Sequence, residues 1–177
     1  MQKNNEHIFL IGMMGSGKTS VGKFLSKQLN IPIIDSDSYI IEKLKMTTEK
    51  IFKNYGEKKF RIFENECLEK NLNGKQCIFS MGGGAVLNKK NRSIFKNSKN
   101  TFLFQCSALT SKSRIKNDDK SMRPLIEKNN LEKELQAIWL KRKKMYKECA
   151  THTIITDNKT IENISNEVLS ILNENYL

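Results

Sequence analysis

The chain has 177 residues, 38% of them hydrophobic, which suits one α/β domain with a sizeable core and is too short for two ordinary domains. We therefore predict a single domain over residues 1–177. Lysine and arginine number 31 against 19 acidic residues, and this net charge of +12 favours anionic partners. The basic residues are spread along the chain without a basic tail or an RNA-binding aromatic pattern, so we expect no nucleic-acid partner.

No apolar stretch is long enough to span a bilayer, and the first residues lead into a strand without the pattern of a secretion signal. We therefore expect a cytoplasmic protein with no membrane partner. The cysteines form no CxxC pair, which is typical of reduced thiols in the cytosol. We expect them to be buried and unpaired: Cys67, Cys77, Cys106 and Cys149.

The first predicted element is a short apolar strand over residues 8–11, which ends at the motif GMMGSGKT of residues 12–19. A helix is predicted from Lys18, because apolar residues follow it at helical spacing. The pattern GxxxxGK[ST] between a strand and a helix predicts a phosphate loop, whose N–H groups surround an oligophosphate. We expect a side chain at Gly15 or Gly17 to occupy the space of the anion.

A second strand is predicted over residues 31–34 and is followed by Asp35, Ser36 and Asp37. Residues two apart in an extended chain point the same way, so both carboxylates should face the crevice at the carboxyl end of the sheet. Asp35 is a candidate for holding Mg²⁺, and Asp37 for accepting a hydrogen bond from a substrate hydroxyl. The alternative is that one of them caps the next helix.

Helical segments are predicted over residues 48–55 and 57–72, with a break at Gly56. Arg61 and Glu64 are neighbours at i,i+3, and an arginine held by a glutamate presents its planar fork to a carboxylate ligand. The alternative is an ordinary surface ion pair, which contributes little.

A third strand over residues 77–81 is followed by three glycines at 82–84, where backbone can approach a ligand closely. This strand ends without the carboxylate that a switch or motor NTPase would place there, which leaves Asp35 as the expected metal-supporting group. After a helix over 88–96 and a strand over 101–106, the periodicity is lost and charges cluster. This pattern predicts a mobile lid over about 114–126, in which Pro124 stiffens Arg123.

The next helix carries an apolar stripe from Leu131 to Cys149 at spacings of three and four. In the run Lys-Arg-Lys-Lys at 141–144, only Arg142 falls on this stripe, and an arginine there needs an anion. A strand over 153–156, a loop and a helix over 161–172 follow. The alternation of strands and helices predicts an α/β fold with a five-stranded parallel sheet and helices on both faces.

Together these features resemble shikimate kinases. The phosphate loop, the DSD after strand two, IFKNYGEKKFRIFE at 51–64, the triple glycine, the RPL at 123–125, and Arg142 followed by Tyr146 and Ala150 occur in the order of that family and cover essentially the whole chain. The resemblance implies a three-layer P-loop NTPase fold of the nucleoside-monophosphate-kinase type, with substrate-binding helices at about 36–72. It also implies ATP- and Mg²⁺-dependent phosphorylation of the shikimate 3-hydroxyl, which gives shikimate 3-phosphate and ADP on the pathway to chorismate and the aromatic amino acids.

The alternatives are another small-molecule P-loop kinase of the gluconate type, a phosphate-loop switch or ATPase, and a basic nucleic-acid binder. A gluconate-type kinase would leave Arg61 and Arg142 without an obvious task. A GTP switch would need an NKxD motif, which the sequence lacks.

The resemblance also implies roles for individual residues, with ATP as co-substrate and a monomer as the expected state. The implied catalytic residues are Lys18, Asp37 and Arg123. The implied nucleotide-binding residues are Gly15, Ser16, Gly17, Lys18, Thr19, Ser20, Arg114 and Arg123. The implied shikimate-binding residues are Asp37, Arg61, Gly82, Gly83, Gly84 and Arg142, with Phe52, Phe60 and Pro124 lining the pocket. The implied metal-binding residues are Thr19 and Asp35, and Asp157 and Asn158 should flank adenine with Arg114.

One position departs from the family pattern. Met81 precedes the glycines where a threonine is typical, and strand alternation is expected to turn Ser80 away from the site.

Overall fold

The computed structural model describes residues 6–116 and 130–174. Within them, five strands form one sheet in the order β2-β3-β1-β4-β5, and every neighbouring pair is parallel. The strands are β1 Ile8–Gly12, β2 Ile33–Asp35, β3 Ile78–Ser80, β4 Thr101–Gln105 and β5 His152–Ile155. The predicted five-stranded parallel sheet is therefore confirmed.

Seven helices are described in the same ranges, with a short 3-10 turn over Ala85–Leu87. They are α1 Lys18–Leu29, α2 Ser36–Leu44, α3 Thr48–Asn71, α4 Lys89–Asn97, α5 Ala108–Lys116, α6 Leu131–Cys149 and α7 Ile161–Glu174. Helix α3 is interrupted at Gly56, where φ is 72° and ψ is 170°, as the sequence predicted.

Helix α5 was not predicted, and it contains Arg114, where the lid was expected to begin. Its apolar periodicity is weak, but Ser107 precedes it and accepts the Thr110 N–H at 3.1 Å through Oγ, as an N-cap residue does. Most of the expected lid, with Arg123 and Pro124, lies outside the described residues.

Two apolar clusters cover the two faces of the sheet. Along β1, Phe9 and Ile11 join the cluster with α3, α4 and α6, whereas Ile8 and Leu10 join the cluster with α1 and α7. This alternation follows the two-residue period of a strand. Because β1 is buried on both faces, its sequence is a continuous apolar run, and the carboxyl edge of the sheet is the part left for a ligand.

The expected buried thiols are confirmed for Cys67, Cys77 and Cys149, whereas Cys106 is only partly buried; all four are unpaired. Burial raises the pKa of Cys67 to about 12 and that of Cys77 and Cys149 to about 11, so these groups stay protonated at neutral pH. None of the helices in 6–116 and 130–174 is both long and apolar enough to cross a membrane.

Candidate active site

The phosphate loop lies between β1 and α1, as predicted. Lys18 is only 8% exposed and folds back over the loop. Its Nζ donates to Gly12 O at 3.0 Å, to Met13 O at 2.7 Å and to Ser16 Oγ at 3.3 Å. The ammonium group is thus fixed over the turn whose N–H groups would surround an anion.

The two inner glycines of the loop are needed for different reasons. A Cβ on Gly15 would lie 2.6 Å from Ser111 O of α5, so its missing side chain makes room for that helix. The sequence did not predict this contact, and the expected room for an anion at Gly15 stays a prediction. A Cβ on Gly17 would meet nothing closer than Arg114 Nη1 at 3.8 Å. Ser111 Oγ also donates to Met14 O at 2.5 Å, so α5 supports the loop from outside.

Asp35 caps α2, which is one of the roles that the sequence left open, and it also bonds to Thr19 of the phosphate loop. Its Oδ1 accepts the Ser38 N–H at 3.0 Å and caps α2, while its Oδ2 accepts from Thr19 Oγ1 at 2.8 Å. The same Oδ2 accepts from Ser80 Oγ at 2.9 Å, and the two hydroxyl oxygens are 3.3 Å apart. Three oxygen-bearing side chains therefore meet beside the phosphate loop.

The expectation that Ser80 points away from the site is wrong. Ser80 is the neighbour of Asp35 in the parallel pairing of β2 and β3, so the two side chains leave the sheet together. Met81 instead lies in the core with 1% exposure. The sequence contained a clue to the position of Ser80, because this residue brings a hydroxyl group into an otherwise apolar strand.

Asp37 and Glu64 converge on the first glycine of the 82–84 segment. A Cβ on Gly82 would lie 2.6 Å from Asp37 Oδ1 and 2.2 Å from Glu64 Oε1. Burial raises the pKa of Glu64 to about 7 although Arg61 opposes the shift, and Asp37 adds to it.

The glycine segment 82–84 passes close to side chains from several helices. Gly82 N–H donates to Ser36 Oγ at 2.8 Å, and Gly83 O accepts from Arg142 Nη1 at 3.1 Å and from the Tyr146 hydroxyl. A Cβ on Gly84 would lie 2.0 Å from Arg61 Cζ. The missing side chains thus admit the charged groups of the protein itself.

Arg61 and Arg142 approach the same carboxylate. Arg61 donates to Glu64 Oε2 at 2.6 Å and to Glu57 Oε1 at 2.8 Å, and Arg142 Nη2 lies 3.9 Å from that same Glu57 oxygen. Both arginine side chains are 14% exposed and Glu64 is fully buried, so the surface-pair alternative for Arg61 is wrong. The neighbouring Lys141 is exposed, as the stripe on α6 predicted.

A cavity of about 630 Å³ runs from the phosphate loop past the two aspartates to Gly82 and Gly83, and Arg61 and Arg142 are not among its lining residues. At one end Arg114 donates to Gly15 O at 3.3 Å and to Thr156 O at 2.6 Å, which places it beside the phosphate loop and the end of β5. The cavity is lined by residues of the phosphate loop, by the two aspartates and by the glycine segment, among them Gly15, Gly17, Lys18, Thr19, Asp35, Asp37, Ser80, Gly82, Gly83, Arg114 and Lys159.

Sequence reasoning missed several residues around this cavity. Ser36, Ser80 and Tyr146 bond to backbone or side chains of the site, and Glu57 lies between the two arginines. Arg123, expected to act on closure, lies outside the described residues.

The Gly84→Ala variant is expected to weaken binding of a small organic acid beside Arg61 by about tenfold or more, because the added methyl group would clash with the Arg61 guanidinium and displace Arg61 or the glycine segment. Gly84 has φ of −102°, which alanine tolerates, so the effect is steric rather than conformational. Gly74→Ala, after α3, is the matched control. Equal substrate affinities of Gly84→Ala and wild type by calorimetry would contradict the prediction.

Glu64 should make the protein less stable as the pH rises. Its folded pKa of about 7 exceeds the usual 4.5, so the folded chain binds more protons than the unfolded chain between these values. Glu64 makes its full contribution to the free energy of unfolding below about pH 4.5. That contribution is lost as the pH rises through 7, by up to roughly 3 kcal/mol. Urea unfolding of Glu64→Gln should lack this slope, and curves parallel to wild type would refute the assignment.

Comparison with known proteins identifies relatives over almost the whole chain. A family model described as shikimate kinase matches residues 14–173. Shikimate kinase of Enterococcus faecalis is 38% identical over 170 residues, which cover 96% of this chain and 99% of that protein. Shikimate kinase of Dictyoglomus turgidum is 36% identical over 166 residues, 93% of this chain and 95% of the other.

Solved structures agree with this result. Shikimate kinase from Acinetobacter baumannii in complex with shikimate matches with a TM-score of 0.91 and 30% identity, over 99% of this chain and 97% of that chain.

Proposed function

The chain belongs to the shikimate kinase family, and on that premise we propose which of its residues carry the reaction of the family. The enzyme transfers the γ-phosphoryl group of ATP to the 3-hydroxyl of shikimate and releases shikimate 3-phosphate and ADP, a step towards chorismate and the aromatic amino acids. Phosphoryl transfer needs mainly alignment and charge neutralisation, so the roles proposed below are of these two kinds.

The convergence of Arg61 and Arg142 on one carboxylate oxygen of Glu57 is the observation that carries the substrate assignment. Guanidinium forks bind carboxylates by charge-assisted hydrogen bonds. A small organic acid bound between the two guanidinium groups would have to displace the Glu57 carboxylate. We propose that the shikimate carboxylate is held by Arg61 and Arg142, beside the glycine segment, with Phe52 and Phe60 packed against each other nearby.

Asp37 is proposed to orient the acceptor hydroxyl, because it lines the cavity between the phosphate loop and the glycine segment. As the new O–P bond forms, the bond from the γ-phosphorus to the bridging oxygen breaks and its electron pair leaves with ADP. The hydroxyl proton passes to Asp37, and a weak base suffices because the proton is lost late.

The nucleotide end is assigned to the phosphate loop, with Lys18 neutralising the β- and γ-phosphates. Ser16, Thr19 and Ser20 complete this end, and Arg114 is proposed to flank adenine with the turn at Asp157 and Asn158. Asp157 accepts from Ser107 Oγ at 2.6 Å, which fixes the turn against α5. Arg123 is proposed to neutralise the transferring group on closure.

The residues beside the loop fit Mg²⁺, which is proposed as the metal. Thr19, Asp35 and Ser80 offer only oxygen atoms, the donors that Mg²⁺ prefers, and it commonly takes one or two carboxylates together with substrate phosphates. Among the residues that the structure covers, no group of three or more His, Cys, Asp or Glu side chains is arranged to hold a metal by itself. A bound Mg²⁺ neutralises and orients the transferring phosphates. Thr19 and Asp35 would hold it, with Ser80 in support.

Release of ADP by the purified full chain tests the function. We expect release that depends on shikimate, is absent with gluconate and stops when EDTA removes Mg²⁺. ADP release that does not respond to shikimate would contradict the substrate. The monomeric state, the cytoplasmic location and the absence of a nucleic-acid partner stay predictions.

A further inference from the structure

The glycine segment has no side chains of its own, so its position depends on the groups that bond to its backbone. Ser36 from α2 accepts from Gly82 N–H, and Tyr146 from α6 donates to Gly83 O. Arg142 also donates to Gly83 O. A further anchor lies where the segment leaves the site: Asn91 Nδ2 from α4 donates to Ala85 O at 3.0 Å.

Asn91 is itself held by a second asparagine. Asn65 Nδ2 donates to Asn91 Oδ1 at 3.0 Å, so the Asn91 amide both accepts and donates inside the protein. Asn91 is fully buried and Asn65 is 8% exposed. Burying an amide group costs free energy unless it is hydrogen-bonded. The bonds from Asn65 to Asn91 and from Asn91 to Ala85 offset that cost. The two side chains form a relay from α3 to Ala85 O.

Each end of this relay lies close in the chain to Arg61 or to a residue next to it in space. Asn65 follows Glu64 on α3, one turn after Arg61, and Ala85 follows Gly84, whose Cα faces the Arg61 guanidinium. The relay therefore sets the distance between the helix that carries Arg61 and the backbone against which that arginine lies. Neither asparagine lines the cavity that joins the loop to the aspartates.

We propose that Asn91, held by Asn65, is a positioning residue for the shikimate carboxylate: it fixes the glycine segment against Arg61. The proposal rests on the function proposed above. The phosphate loop touches the segment at Gly83, but it has two anchors of its own, Lys18 and Ser111 of α5. Loss of the relay should therefore affect shikimate and not ATP, whereas a side chain that only stabilises the core would affect both substrates or neither.

The Asn91→Asp variant tests this selectivity. It keeps the size of the side chain and an acceptor for Asn65, but places an oxygen where the donor to Ala85 O was. We expect the shikimate KM, and the Kd measured by calorimetry, to rise about five- to thirtyfold, as for one lost buried hydrogen bond. The ATP KM should stay within about twofold, in line with additivity between independently held sites. Asn65→Ala leaves the bond from Asn91 to Ala85 in place, so it should raise the shikimate KM less. This variant replaces Asn91→Asp in the test if Asn91→Asp does not fold.

Thr101→Val is the matched control. Thr101 Oγ1 is buried and donates to Phe95 O at 2.7 Å, so the variant removes the same kind of bond from the other end of α4. It should lower the melting temperature without changing the shikimate KM. An unchanged shikimate KM in the asparagine variants, or an equal rise in both KM values, would overturn the proposal. The wild-type protein, assayed in parallel, separates the positioning role of Asn91 from the proposed function. If the wild-type protein were inactive towards shikimate, the proposed function itself would be contradicted.

Discussion

Lys18→Ala is expected to lower shikimate-dependent ADP release by about 10³-fold, close to background, in a protein that remains folded. A preorganised donor aimed at developing charge is worth about 10²–10³ in kcat, and Lys18 also carries a full positive charge. The structure holds its ammonium group over the phosphate loop through three hydrogen bonds. A coupled assay of ADP with saturating shikimate measures the loss.

Lys27→Ala, on the exposed last turn of the same helix, is the control for Lys18. Lys18→Met adds a second comparison, since it keeps most of the side-chain length and removes the charge. Circular dichroism and thermal unfolding would show that both variants fold. Turnover near wild type in Lys18→Ala would refute the role of the phosphate loop.

Arg142→Ala is expected to raise the shikimate KM by about ten- to a hundredfold and to change the ATP KM little. A hydrogen bond to a charged group is worth about 1.5 to 3 kcal/mol, which corresponds to this range. Arg142 reaches both Gly83 O and the vicinity of Glu57, so the variant also loosens the glycine segment. Initial rates at varied shikimate provide the measurement.

Lys141→Ala is the control for Arg142, because it removes an adjacent charge that is exposed. Arg61→Ala should act in the same direction but leaves the buried Glu64 carboxyl without its partner, so its stability must be measured as well. A shikimate KM equal to that of wild type in both arginine variants would remove these residues from the substrate site.

The sequence predicted the parts of the fold and the site that follow from local spacing. The phosphate loop, the break at Gly56, and Arg142 facing inward from its helix are each determined by residues within a few turns of one another. The order of the strands in the sheet and the exact partners of the arginines depend on distant segments, and no local pattern gives them. Helix α5 was missed because its periodicity is weak, although its serine cap was visible.

The errors have a common origin. Ser80 was placed by strand alternation alone, without knowing that β2 would lie beside it and bring Asp35 to the same side. Gly15 was explained by a ligand alone, and its close contact with Ser111, 96 positions further along the chain, was not foreseen. Asn65 and Asn91 drew no prediction, because a buried asparagine cannot be told from a surface one until its neighbours are known.

If Arg61 and Arg142 bind the substrate as proposed, the position of Glu57 bears on which small molecules they accept. Its carboxylate already neutralises part of the charge of two arginines, so an incoming acid exchanges one anion for another. An uncharged polyol of the same size brings no replacement and would have to leave the glutamate where it is. On the proposed assignment, neutral sugars would be selected against at the binding step, before any phosphoryl chemistry begins.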